Sequence, residues 1–509
     1  MVITTQRHTF LYVYAHTKIA AIAAGNRMED SEIIKVLNSH NPWWNGNLLK
    51  VPQKARRDFY ILEPALEEKL ITALLGPRRV GKSVLMAQLA KGLLDRGVEP
   101  KRILFVRLDE PLFDPLGASL VHSVIDAYLK YILEKEYSDI DERVYIFLDE
   151  VQHVPKWSET LKSYYDREEN VKFVVSGSSA AGITRGSAES LAGRIKQHYV
   201  MTLKFSDFLK FRGFSDDFDR ECMDLRSRFR LALIDGNLPR FWLVLRRFAA
   251  RQARSGSKSD AFLMDYLVKG GYIELVSETD YQKCAKYIFD LVQLVIYRDI
   301  IKVFDIRNPK NMEDFLLYLA RHSSDKMSDN SLRKISSELK IEINTLRQYL
   351  DYLEQVFFVS SSMIFAPSRA KQLRNPKKIY ITNVGIRNVF NSTFSALSRL
   401  DPLDLGKMVE TVVHDHSLRL AFYLDQANAR CYYWSNGGEI DNVISFGKTN
   451  LPIESKYQNE IKTSDYAECL KFIHENKCPF GVVVTKKKLA FDEKNRLFLI
   501  PLKIFLIMC

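Results

Sequence analysis

The sequence predicts an α/β protein: a doubly wound parallel sheet carrying a phosphate-binding loop, then a helical lid, a winged-helix module and a C-terminal α/β domain. Three observations predict it. Short apolar runs alternate with helical stretches between about residues 51 and 204, the pattern of a parallel sheet covered by helices on both faces. Residues 76–83 read Gly-Pro-Arg-Arg-Val-Gly-Lys-Ser, a complete GxxxxGK[ST] loop. Val144–Leu148 is an apolar run that ends in the carboxylate pair Asp149-Glu150.

Ile71–Leu75 is the strand that delivers the loop, and Val84–Leu94 the helix that receives it. A helix N-terminus presents backbone N–H groups and the positive end of its dipole to an anion. Gly76 and Gly81 permit the backbone turns, and Pro77, Arg78, Arg79 and Val80 span the loop between them. Lys82 reaches the β- and γ-phosphates, the Ser83 hydroxyl takes a Mg²⁺ position, and Val84 opens the helix. Asp149 at a strand tip would hold the Mg²⁺ shell, with Glu150 beside it to polarise an attacking water. Either motif alone also fits an ordinary turn or a buried strand with an acidic end. Both together, in this order and spacing, point to nucleotide binding.

The other strands of this domain are expected at Ile103–Leu108, Val171–Ser176 and Gln197–Leu203. The fourth runs into Ser176-Gly-Ser178-Ser, where Ser176 or Ser178 would face the γ-phosphate; position does not choose between them. Arg194, closing Leu191-Ala-Gly-Arg, is a candidate to complete the site of its own or of a neighbouring subunit, with Arg185 as the alternative. That leaves an oligomer open.

At 509 residues the chain has room for about three to four domains. Its 74 Lys and Arg against 62 Asp and Glu leave a net charge of +12, which favours an acidic partner such as nucleic acid. The six cysteines are scattered without CxxC spacing, which argues against a disulfide framework or zinc site and fits a reducing, cytoplasmic setting. No apolar run reaches a membrane-spanning length. The first 27 residues are read as disordered or as belonging to an upstream start codon, because Met28-Glu-Asp-Ser makes a natural beginning: acidic residues, a Ser cap and a short helix.

Residues 205–305 read as a helical lid, with helices expected at Phe205–Phe211, Arg220–Ile234, Ala261–Val268 and Tyr281–Phe304 and a linker at Arg254–Asp260. Residues 306–378 read as a winged helix and a basic linker. Met312–Arg321, Ser331–Leu339 and Ile343–Val356 are its helices, the last two joined at helix-turn-helix spacing, and Phe357–Phe365 would supply the wing. Arg347 and Gln348 lie near the start of the recognition helix, and Arg369, Lys371, Arg374, Lys377 and Lys378 crowd the following segment. The same pattern serves DNA contact or protein contact.

The last domain begins near Ile379. Glu410 lies on the helical stretch Lys407–Leu420, Asp441 opens a strand at 441–446, and Glu454 and Lys456 share one face of another. Acids so placed can ligate a divalent metal while the lysine helps activate a water beside a scissile phosphate. A surface salt-bridge cluster would read the same way. The run Leu497–Met508 is expected to form terminal strands.

These residues together resemble archaeal and bacterial AAA+-like ATPases that carry a C-terminal domain of unknown function. The stretches that carry the resemblance are NPWW (41–44), GPRRVGKS (76–83), IFLDEVQHVPKWSETLKSYYD (146–166), SGSS (176–179), LAGR (191–194), KGGYIE (269–274) and YRDI (297–300), continuing through KIYITNVGIRN (378–388), YWSNGGEIDNVI (433–444) and PIESK (452–456). The resemblance implies a P-loop ATPase core at 51–204 after an N-terminal extension and short helix at 1–50. It further implies the lid at 205–305, the winged helix at 306–378, and a restriction-endonuclease-like, PD-(D/E)xK nuclease-like domain at 379–509. It implies ATP as ligand, slow hydrolysis, and Mg²⁺ held through Ser83 and Asp149. Two departures stand out: Asn383 occupies a position where members often carry Asp, and the segment from about Phe214 to Asp260 is longer than is common.

Overall fold

The computed structural model describes residues 28–167, 170–178, 190–254, 258–304, 306–394, 401–425 and 428–509. The N-terminal stretch 1–27 and Arg185 lie outside the described residues. The chain divides into two compact units, one formed by residues up to 76 together with 81–200, the other by 77–80 together with 201–509.

The first unit is built on five parallel strands: β1 (Ile71–Leu75), β2 (Ile103–Arg107), β3 (Val144–Asp149), β4 (Val171–Gly177) and β5 (Ile195–Tyr199), in the spatial order β2-β3-β4-β1-β5. β1, β3 and β4 are buried at every position, as strands covered on both faces require. β5 is an edge strand with a half-exposed, polar sequence, Ile-Lys-Gln-His-Tyr. It starts two residues before the expected Gln197, because an edge strand lacks the apolar run that marks a central one.

The NPWW stretch seals the opposite edge. Asn41 mimics a strand against β2: its Nδ2 donates to the Phe105 carbonyl at 2.8 Å, and its Oδ1 accepts the Phe105 N–H at 2.7 Å. The indole N–H groups of Trp43 and Trp44 both donate to the Ile103 carbonyl. An edge that would otherwise expose backbone donors and acceptors is thereby paired. The preceding helix, Asp30–His40, is entered through Glu29, whose N–H donates to Glu32, rather than through the serine expected as its cap.

The second unit holds a nine-stranded mixed sheet. Its strands are β6 (Lys326–Met327), β7 (Val359–Ile364), β8 (Lys377–Ile381), β9 (Arg430–Ser435), β10 (Glu439–Phe446), β11 (Thr449–Lys456), β12 (Gly481–Thr485), β13 (Ala490–Asp492) and β14 (Leu497–Pro501). They run in the order β13-β14-β12-β11-β10-β9-β7-β8-β6. Helices Pro309–Arg321, Asp329–Leu339 and Ile343–Gln355 precede the antiparallel ribbon β7–β8. The expected boundary between 378 and 379 falls within β8, and β7 pairs in parallel with β9, so ribbon and C-terminal strands form one sheet.

Two expectations are corrected here. Helices Phe205–Phe211, Asp216–Asp235, Leu238–Arg254 and Lys258–Lys269 belong to one apolar core with β11, β12, β14 and the chain end, not to a separate lid. Phe229 packs on Phe480 with ring centroids 5.4 Å apart, and Phe241 on Phe498 at 5.1 Å. The run Leu497–Met508 is one strand and then a helix, Leu502–Met508. That helix is buried almost all round, so it shows no amphipathic period to read.

Candidate functional site

The loop starts where β1 ends. At Gly76 a Cβ would stand 1.9 Å from the Val200 carbonyl oxygen, so only glycine passes. Gly81 has φ +93°, in the left-handed region that favours glycine, and it opens the helix Lys82–Asp95. Lys82 is buried, and its Nζ donates to the Gly76 carbonyl at 2.8 Å, folding the ammonium back over the loop. Ser83 and Val84 are exposed at the first turn. The loop tip, Pro77–Val80, groups with the second unit, where Arg78 Nη1 pairs with Asp299 Oδ1 at 2.5 Å and the Arg79 guanidinium lies over the Tyr287 ring.

Asp149, at the buried tip of β3, is the centre of the site. Its Oδ1 accepts from the Ser176 hydroxyl. Burial, and then the charge of Glu150, push its carboxyl up, while hydrogen bonds from Ser176 and Ser83 and the charge of Lys82 oppose them. Its Oδ2 is buried without a hydrogen-bond partner.

Glu150 leaves the strand at φ +60°, and its N–H donates to Ser176 Oγ at 3.1 Å. Its carboxylate accepts from Gln152 Nε2, which also donates to Ser178 Oγ at 3.1 Å. The two serines left open by the sequence therefore differ: Ser176 sits on Asp149, and Ser178 meets Glu150 through Gln152. Gln152 was not foreseen; its only signal is its place two residues beyond Glu150.

Ser83 and Asp149 are hard oxygen donors brought together beside the loop, and Asp149 keeps an unpaired buried oxygen; this set fits Mg²⁺. Arg194 is elsewhere. It immediately precedes β5, its carbonyl accepts the Ile71 N–H, and its guanidinium pairs with Asp166 at 2.7 Å. The loop follows the other end of the sheet, a strand length of roughly 16 Å away. Arg194 is thus not part of the phosphate site of its own chain.

The second constellation lies in the second unit. Glu410 projects from the helix Pro402–Leu424, Asp441 from β10, and Glu454 and Lys456 from one face of β11. Lys378, on β8, enters the middle of this set. Its Nζ is 2.7 Å from Glu410 Oε1 and 3.4 Å from Asp441 Oδ1, and it also pairs with Glu439. Tyr380, on the same face of β8, donates to Glu410 Oε1 at 3.0 Å. Lys456 turns onto Glu454 at 2.7 Å. Burial, and then the charge of Asp441, push the carboxyls of Glu410 and Glu454 upward. Lys378 is held above the usual amine range because the charges of Asp441, Glu410 and Glu439 outweigh its burial.

Among the described residues no group of three or more His, Cys, Asp or Glu side chains is arranged to hold a metal ion. The acids Glu410, Asp441 and Glu454 surround or adjoin ammonium groups, so this set does not fit the divalent metal expected of it. The basic segment changes as well: Arg369, Lys371 and Arg374 are exposed on a short helix, whereas Lys378 is buried. Arg347 pairs with Asp329 at 2.8 Å. Asn383 caps the helix Val384–Phe390 by accepting the Gly385 N–H at 2.9 Å.

Residues 68–209 match the family model described as AAA domain, and residues 261–397 and 405–505 match two models described as domains of unknown function. An uncharacterized protein of Methanocaldococcus jannaschii is 24% identical over 386 residues, covering 73% of this chain and 72% of that protein. A second uncharacterized protein of the same organism is 21% identical over 465 residues, covering 88% and 90%. Among solved structures, a Walker-type ATPase of Pyrococcus abyssi is 15% identical with a TM-score of 0.42, covering 68% of this chain and 100% of that one.

Proposed function

We propose that the chain, whose residues 68–209 match the AAA domain model, binds Mg²⁺-ATP at residues 76–83 and hydrolyses it with Glu150 as the water-activating base. The observation that carries this reading is the unpaired, buried Oδ2 of Asp149 beside Ser83 and Lys82. Mg²⁺, when bound with ATP, neutralises charge on the β- and γ-phosphate oxygens. Lys82 exchanges its bond to the Gly76 carbonyl for the phosphates. Ser176 holds Asp149, and Gln152 holds the Glu150 carboxylate against Ser178, so the base is oriented before a nucleotide arrives. Lys82→Ala removes ATP binding; Glu150→Gln keeps ATP bound and stops turnover. Wild-type turnover in Glu150→Gln would overturn the assignment of the base.

The partner of the C-terminal part is proposed to be DNA, through residues 306–378, read as a winged helix and basic linker, with the exposed Arg369, Lys371 and Arg374. The net charge of +12 supports this. Neutralising the three together should lower the salt slope of DNA binding by about 0.9 for each phosphate that they had paired with. An unchanged slope would exclude this surface. A protein partner is the second reading, favoured by the Arg347–Asp329 pair, which already neutralises the charge meant for phosphate. Measuring ATP turnover with and without single- and double-stranded DNA separates the two.

A further inference from the structure

Lys378 brings a positive charge into the point on which the C-terminal acids converge. Its side chain is only 3% exposed, and it reaches Glu410 from the helix and Asp441 from β10 at 2.7 and 3.4 Å. A divalent ion bound by those two oxygens would lie about 2 to 2.5 Å from each, in the volume that the ammonium fills. Three further oxygens are also engaged. Asp441 Oδ2 accepts the Ser455 N–H at 2.9 Å, Glu454 Oε2 accepts the Asp441 N–H at 3.2 Å, and Glu454 Oε1 meets Lys456 at 2.7 Å. Glu410 Oε1 takes a second donor from Tyr380.

We infer that the Lys378 ammonium is the resident cation of this constellation, standing where a divalent metal would bind, so that ammonium and metal exclude one another. The physical logic is charge balance. Buried carboxylates need a compensating cation, and an ammonium with hydrogen-bonded carboxylates on several sides meets that need from within the chain. The lysine is suited to this because it comes from β8 rather than from the strands that carry the acids. Losing it leaves Glu410 and Asp441 facing one another without that charge, while Glu439 keeps its pair with Lys326, and a divalent cation can neutralise the two in its place. The inference is independent of the nucleotide site.

Mn²⁺ alone is the probe. Full-length wild type and Asp441→Asn, both nucleotide-free, are titrated with Mn²⁺ and the free ion is read by electron paramagnetic resonance. The two should bind alike; a Mn²⁺ held by wild type and lost in Asp441→Asn overturns the inference. Lys378→Ala should gain one Mn²⁺ per chain, and Lys378→Ala with Asp441→Asn should lose it again. A folded Lys378→Ala that gains nothing also overturns it. Should Lys378→Ala not fold without metal, the wild-type comparison decides: equal binding supports the resident ammonium, and a difference refutes it.

Discussion

Replacing His414 with glutamine should flatten the acid side of the protein's stability curve. His414 lies one turn beyond Glu410 on the same helix and is buried. Its Nδ1 is 2.7 Å from Asn442 Oδ1, its Nε2 is buried without a partner, and its ring stacks on Tyr380 at 3.7 Å. Burial pulls the imidazole down from 6.5 to about 4, aided by the charge of Lys378 and opposed by the Asn442 hydrogen bond. The folded state therefore prefers the neutral ring. That contribution is complete above pH 6.5, and it is lost as pH falls through about 4. Over this interval it amounts to about 3 kcal/mol. Glu410 and Glu454 act in the opposite sense: their raised carboxyls favour the folded state at lower pH, and that contribution fades as pH rises through their folded values. The wild-type curve alone is thus a sum of opposing parts. The difference between wild type and His414→Gln isolates the histidine. Urea denaturation of the full chain by circular dichroism at pH 7.5, 6, 5 and 4 should show that difference shrinking by about 3 kcal/mol. Parallel curves would mean that the ring titrates normally in the folded protein, and the burial argument would fail.

Gln152→Ala should lower ATP turnover by about tenfold while leaving ATP affinity near wild type, since it releases the Glu150 carboxylate without touching the loop; equal losses in both would make Gln152 a structural residue. Arg194→Ala should keep its turnover; a loss that is rescued by mixing with Lys82→Ala protein would place Arg194 in a neighbour's site instead. Gly271→Ala puts a Cβ 2.0 Å from the Leu203 carbonyl oxygen, and should cost on the order of 1 to 3 kcal/mol, read as a lowered thermal midpoint of the second unit. An unchanged midpoint would show that the backbone can move aside there.

The loop at 76–83 and the acid beside it were legible because their geometry is local. Strand, loop and helix are consecutive, so Gly76, Lys82 and Ser83 are fixed by spacing within one supersecondary unit. Asp149 could be added because a strand that is apolar throughout ends in an acid. Gln152 escaped because a glutamine beyond a strand tip has no pattern; only its reach to both Glu150 and Ser178 gives it meaning. Arg194 stands apart from the loop of its own chain for a related reason. Sequence order put it just before a strand, and parallel strands put that end of the sheet opposite the phosphates. Three of the four helices at 205–269 were read as helices and Leu238–Arg254 was not, and their amphipathic faces carry no label for which surface they cover.

The C-terminal constellation shows the limit more sharply. Glu410, Asp441, Glu454 and Lys456 were identified as side-chain types in the right order, and the helix and strands that carry them are where the sequence placed them. What decides their chemistry is a fifth residue, 32 positions before Glu410 and 63 before Asp441. In the sequence Lys378 stands among Arg369, Lys371, Arg374 and Lys377, and composition alone reads it as one more cation for a phosphate backbone. In the fold, β8 pairs with β7 and buries Lys378 beneath that basic surface. A motif states which ligands are available. Whether a metal can use them depends on the total charge of the cavity, and that total includes any cation the chain itself delivers. For carboxylate sites of this kind, a lysine entering from a neighbouring strand is therefore the feature to find before chemistry is assigned to the acids.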